Sequence, residues 1–124
     1  SPEMCGIGPF VPHKDTKFKN ENHGDVSLVL MLLSIIRLLK PNILLPATTA
    51  LGTVDPLGRE KGILHGANVV MPNLSPIKHR KDYSLYDNKI CTGDEAAQFI
   101  GCLADRMKKI GYEIVTDRGD YTEE

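Results

Sequence analysis

The sequence has almost no net charge: 15 Lys and Arg stand against 16 Asp and Glu, for a formal −1 over 124 residues. Nucleic acid and anionic lipid are recognised through accumulated positive charge, so neither is an expected partner. A long apolar run is missing as well. The most apolar stretch, residues 26–39, is interrupted by Ser34 and Arg37 and falls short of the roughly 20 residues that cross a bilayer, so it reads as a buried helix. No charged stretch followed by a short apolar one opens the chain, and no signal peptide is expected. Cysteine is scarce too. Cys5, Cys91 and Cys102 make an odd count without a small-scaffold disulfide framework, which points to a reducing compartment, the cytoplasm.

Several chemistries lack their residues. His13, His23, His65 and His79 are scattered, without the paired spacing of a metal-binding helix. No serine sits in a nucleophile elbow and no Cys–His pair is evident, so hydrolytic catalysis is unsupported. Gly6 and Gly8 bracket Ile7, but the third glycine, helix start and later acidic residue of a dinucleotide fingerprint are absent. Lys78, His79, Arg80 and Lys81 form a local basic patch, read as a solvated loop that could attract an anionic substrate.

What is present is a repeated pattern. Three short segments with strand character, residues 4–7, 43–45 and 67–71, each end in small or polar residues and are each followed by a loop and a helical stretch. Asp25 is placed to cap a helix that runs to about Lys40, where Pro41 stops it. Apolar residues surround nearly all of that helix, so another element is expected against it. Residues 51–58 read as loop and residues 59–65 as a short helix ended by Gly66. A long connection follows over residues 72–93. The last helix carries Ala96, Phe99, Ile100, Leu103, Met107 and Ile110 on one stripe, with Thr92 and Glu95 as a capping box and Gly111 beyond its end. Strands joined by crossover helices run parallel, so the expected fold is α/β: about the last three βα units of a (β/α)8 TIM-type barrel. A complete barrel needs roughly 250 residues. Residues 1–124 are therefore read as one fragment without an internal boundary, and its open sheet is expected to self-associate.

The segment ends supply the candidate residues, because ligands sit at the C-terminal rim of such strands. Thr48 and Thr49 offer two hydroxyls and two backbone N–H groups to an anion or carboxylate, against their alternative use as strand residues. Asn73 either orients a polar ligand or closes an Asx turn. Met4 and Met71 are soft contacts for a cofactor, or else core packing. Tyr83 and Tyr86, three apart, would share a helical face and present two hydroxyls together, or anchor a surface.

The stretches GIGPFVPHKDT, LLPATTALGT, GREKGILHGANVVMPNLSP and YSLYDNKIC occur here in fixed order. Together they resemble the C-terminal half of the radical-SAM maturases of FeFe-hydrogenase, relatives of biotin synthase and methylornithine synthase. The resemblance covers nearly the whole chain. It implies a cytoplasmic parent enzyme that cleaves S-adenosylmethionine reductively at a 4Fe-4S cluster and helps build the diiron subcluster of the hydrogenase H-cluster. It further implies that Met4 lies beside S-adenosylmethionine and that Thr48 and Thr49 bind the anionic part of a small-molecule substrate. Tyr83 and Tyr86 would close the cavity near the cofactor, while Met71 and Asn73 line its wall.

Two departures follow from the same comparison of motifs. The family's C-x3-C-x2-C cluster motif belongs to the N-terminal half of the barrel and is absent here, so this chain alone is expected to be inactive and to hold neither cofactor nor metal. An accessory cluster carried by some members on C-x7-C-x2-C finds only Cys91 and Cys102, with Phe99 in the middle position. A cluster normally takes four ligands, so none is expected; Cys102 is read as semi-buried. Two other readings remain open: another biotin synthase-like radical-SAM enzyme, such as a methylornithine-synthase-like mutase, and a stand-alone dimeric binding module.

Overall fold

The computed structural model describes residues 2–80, 82 and 96–123, apart from the side chains of residues 96–99. Among the described residues five helices follow one another: α1 (Val26–Leu39), α2 (Thr49–Val54), α3 (Gly58–Leu64), α4 (Ile77–Arg80) and α5 (Ala96–Lys109). Asp25 caps α1 as expected, its Oδ1 accepting from Ser27 N at 2.8 Å. Lys40 N donates to Ile36 O to close the other end before Pro41. α2 takes the first half of the stretch read as loop, because the Thr48 hydroxyl accepts from Leu51 N and starts a helical turn there.

Both predicted glycine stops hold. After α3, Ala67 N bonds to Gly62 O and Gly66 N to Ile63 O, with Gly66 at φ +105. After α5, Tyr112 N bonds to Met107 O and Gly111 N to Lys108 O, with Gly111 at φ +85. These are the paired bonds of a Schellman motif, which needs a left-handed residue that glycine adopts without steric penalty.

The expected partial barrel is overturned. Among the described residues there is no strand, only two isolated parallel bridges, Met4 with Leu44 and Pro46 with Val69. The backbone shows why no ladder grows from them. In the middle segment Leu44 N bonds to Glu3 O and Ala47 N to Val69 O. Between them, Leu45 N is taken by the side-chain Oδ1 of Asn68 at 2.8 Å, and Pro46 has no N–H at all. Two consecutive donors are thus lost to the ladder. The first segment carries Gly6 and Gly8 just past its single bridge, where glycine weakens pairing.

The core gathers Val29, Leu30 and Leu33 of α1, Ile43, Leu45 and Ala47 of the middle segment, Leu51 of α2, Ile63 of α3, and Leu103 and Met107 of α5. One charged pair joins distant parts of it. Arg106 of α5 donates through Nε and Nη2 to both carboxylate oxygens of Glu60 on α3, which is only 7% exposed, and through Nη2 to Pro56 O. The opposite side of α1 is different: Leu28, Met31, Ile35, Leu38 and Leu39 are exposed. The all-round apolar character of that helix is therefore divided between a buried stripe and an open one.

Among the described residues, no helix is long and apolar enough to cross a membrane. Cys5 is half-buried, whereas Cys102 is exposed rather than semi-buried as read from its place on the stripe; both are free thiols.

Candidate functional site

The end of the first segment and the start of α2 come into direct contact. A Cβ built on Gly8 would stand 2.6 Å from Thr48 Oγ1, closer than real Cβ atoms approach, so any side chain there would force the hydroxyl to move. Thr48 Oγ1 accepts from Leu51 N at 3.3 Å, and Thr49 Oγ1 accepts from Arg59 Nη2 at 3.2 Å. A hydroxyl that accepts from the protein keeps its own hydrogen for another acceptor. Thr48 and Thr49 thus each keep a hydroxyl hydrogen to donate beside one remaining lone pair, which suits a carboxylate or other anion.

Behind the pair lies Arg59, 2% exposed, on α3. Its position is fixed by an unusually close join: a Cβ on Gly58 would meet Leu51 O at 2.2 Å, so α3 starts against the backbone of α2. Sequence reasoning passed over this arginine as a helix start. The only available signal was its adjacency to Gly58, ten residues after the threonine it bonds. Asp55 in the α2–α3 connection is paired with Lys61, and the Lys61 ammonium, then the bond from Leu57 N, hold its carboxyl below the ordinary carboxylate range.

A second locus is a cavity of about 520 Å³ lined by both Met4 and Met71. Its other walls are mostly apolar, including Leu44, Ile63, Ala67, Val69, Met107 and Ile114. Met4 and Met71 are 48% and 50% exposed, so both are pocket and surface residues rather than the core packing weighed as their alternative. The structure thereby brings together two candidates separated by the length of two helical connections. Thr48, Thr49 and Asn73 are outside the described lining. What the sequence did not reveal is the far wall: residues 112–115 and 117–119, beyond the last helix, form a large share of it.

Asn73 takes the Asx-turn alternative. Its Oδ1 accepts from Ser75 N at 3.1 Å, and buried Arg80 closes the same loop by donating to Ser75 O and Asn73 O. Tyr83 and Tyr86 lie outside the described residues, as do Cys91, Thr92 and Glu95. Among the described residues no three His, Cys, Asp or Glu side chains gather as metal ligands.

No protein-family model matches the chain. In sequence it is 43% identical over 117 residues to the FeFe hydrogenase maturase subunit HydE of Thermotoga maritima, a match covering 94% of this chain and 34% of that protein. The chain thus spans about a third of the length of the curated relative it matches. Over nearly its whole length it is a HydE-like sequence, as the motifs in its loops implied.

Proposed function

We propose that the chain is the ligand-contacting portion of a radical S-adenosylmethionine enzyme of the hydrogenase-maturase type. The observation that carries this reading is the 43% identity to HydE across 94% of the chain. The parent enzyme is read as helping to assemble the diiron part of the hydrogenase H-cluster in the cytoplasm, acting on a small-molecule substrate. A 4Fe-4S cluster in such an enzyme supplies the electron that splits S-adenosylmethionine.

No residue of this chain fits that cluster: the sequence has no C-x3-C-x2-C spacing, and its contribution is confined to binding and orientation. Thr48 and Thr49 donate hydroxyl hydrogens to the anionic end of the substrate, an assignment supported by both oxygens already accepting bonds from Leu51 N and Arg59 Nη2. Gly8, having no Cβ, lets the Thr48 hydroxyl sit against its backbone. Met4 contacts S-adenosylmethionine and Met71 the adjoining wall, supported by their sharing one cavity. Asn73 holds its own loop through Ser75 and presents its amide nitrogen from there. Tyr86 is assigned to the cofactor and Tyr83 to the substrate on the motif alone.

The test is made on the full-length protein, purified without oxygen and given dithionite and S-adenosylmethionine. The expected product is 5′-deoxyadenosine, and Thr49→Val should slow turnover of the anionic substrate while leaving S-adenosylmethionine binding intact. Absence of any cleavage in protein that carries iron would sink the proposal.

A further inference from the structure

Thr49 and Thr53 stand one turn apart on α2 and use their hydroxyls differently. Thr53 Oγ1 donates back to Thr49 O at 2.9 Å, the bond by which a helical threonine closes on its own turn, so its hydrogen is taken up inside the helix. Thr49 Oγ1 accepts from Arg59 Nη2 at 3.2 Å and donates to no group among the described residues, although the residue is only half-buried. A hydroxyl in that state is ambivalent, because it offers one hydrogen and one lone pair. What lies behind it is not: Arg59 is 2% exposed and carries a permanent positive charge.

The guanidinium is held rigidly against that hydroxyl. Gly58, the residue before it, lies so close to Leu51 O that a Cβ would stand 2.2 Å away, and Gly58 N donates to Asp55 O at 2.8 Å. Glu60, the residue after it, is gripped by Arg106 of α5. One turn on, a Cβ on Gly62 would meet Ala47 Cβ and Leu51 Cδ2 at 3.1 Å, so α3 is seated on the segment that carries the threonines. Groups fixed in this way hold a site's geometry without having to be ordered on binding. We infer that Arg59 is the positioning and specificity-determining residue of the threonine pair: its hydrogen bond turns the Thr49 hydrogen away from the guanidinium towards the ligand, and its buried charge makes the site prefer an anionic group over a neutral one of the same shape. A charged donor polarises the hydroxyl it bonds, so the next hydrogen bond in the chain strengthens. An ammonium or metal ion on the remaining lone pair would instead face a like charge in a partly desolvated site. Arg59 gives the contact its sign only if Thr48 and Thr49 are the anion contacts, the reading on which this role rests.

Full-length protein with methyl-labelled threonine and guanidino-carbon-labelled arginine is titrated by NMR with acetate and, separately, with acetamide, which has the same shape without the charge. Acetate should move the Thr48 and Thr49 methyl signals and the Arg59 Cζ signal along one saturation curve, and should bind more tightly than acetamide. Arg59→Met keeps the length and removes the charge. It should weaken acetate roughly tenfold, the low end of what a hydrogen bond to a charged group is worth, while acetamide affinity changes little. In a Thr49→Val background the same substitution should weaken acetate far less, because the hydroxyl through which Arg59 acts is gone. Equal weakening of acetate and acetamide would mark a purely structural arginine and overturns the role. So does a methionine variant that keeps the acetate preference, or an Arg59 signal that stays still while the threonines saturate; this last readout needs no variant to fold, and in each case the threonine reading stands. Acetate that moves neither threonine sinks the threonine reading, and Arg59's role with it.

Discussion

Gly8 and Thr48 are in contact across the first two segments, with Thr48 Oγ1 occupying the place a Cβ on residue 8 would need. Gly8→Ala should therefore act in two ways. It forces the threonine hydroxyl away from Leu51 N, loosening the start of α2, and overpacking of this kind costs about 1–3 kcal/mol. It also displaces one of the two hydroxyl donors. Chemical denaturation should show the stability loss, and affinity for a carboxylate ligand should drop with it. Gly6→Ala is the control, since nothing stands within 4 Å of a Cβ there. Equal effects from the two substitutions would refute the close-contact account.

Arg106 and Glu60 fasten α5 to α3 through a two-pronged pair whose acid is almost fully buried. Arg106→Ala strands that carboxylate and removes the donor to Pro56 O. Breaking a buried pair typically costs 3–5 kcal/mol, and because Arg106 is one-third exposed the expected loss is roughly 2–4. Adding Glu60→Gln should recover part of it by removing the unpaired charge. Thermal melts of the single and double variants decide this; a double variant no more stable than Arg106→Ala would show that the charge is not what costs stability.

How far these features were legible depended on whether the signal was local. The Asp25 cap and the glycine ends of α3 and α5 could be read from neighbouring residues, because capping bonds span only a few positions. The resemblance to hydrogenase maturases was also legible, from loop motifs in order. The barrel portion was not. Its strand-like segments have the composition of strands, yet Asn68 diverts one donor of the middle segment and Pro46 lacks another, a competition invisible until residues 23 apart are placed together. Arg59 behind Thr49 and the wall at residues 112–119 were missed for the same reason. Met4 and Met71, each weighed as a ligand contact or as core packing, line one cavity, which they share with the tail rather than with the threonines.

Asp55 gives a pH dependence of known sign. Its carboxyl is held below the ordinary value of 3.8, first by the Lys61 ammonium and then by Leu57 N. A folded-state value below the unfolded one means that the stabilisation is complete above the unfolded value and is lost as pH falls through the depressed folded one. Lys61→Met should bring the titration of Asp55, followed by carboxyl-carbon NMR, up towards 3.8 and reduce the stability lost between neutral and acid pH. An unchanged titration would mean that the Lys61 contact is too solvated to matter.

Asn73 separates structure from binding because its Oδ1 accepts from Ser75 N, while its amide nitrogen has no partner among the described residues. Asn73→Asp keeps the acceptor and should leave the melting temperature within a degree or two. Asn73→Ala loses a turn bond worth about 1 kcal/mol. If the amide nitrogen serves the substrate, both variants weaken its binding, and the aspartate variant weakens that of an anionic substrate more. Calorimetric titration beside thermal melts reads the two effects separately; unaltered affinity in the aspartate variant would reduce Asn73 to a loop residue.

Gly66 joins α3 to α1 under two constraints at once. Its φ of +105 lies outside what side-chain-bearing residues readily adopt, and a Cβ there would stand 2.8 Å from Arg37 Cβ. Arg37 cannot simply withdraw: its Nε donates to Gly66 O at 2.8 Å and its Nη1 to Pro41 O, and burial already lowers the guanidinium pKa. Gly66→Ala should cost more than the roughly 1–2 kcal/mol of a left-handed residue alone, because the crowding adds to it. Gly111→Ala meets a similar dihedral demand, at φ +85, but open space, and so should show the conformational cost without the crowding. Denaturant midpoints of the two variants measure the difference, and a Gly66→Ala loss no larger than that at Gly111 would show that α1 gives way to the added methyl.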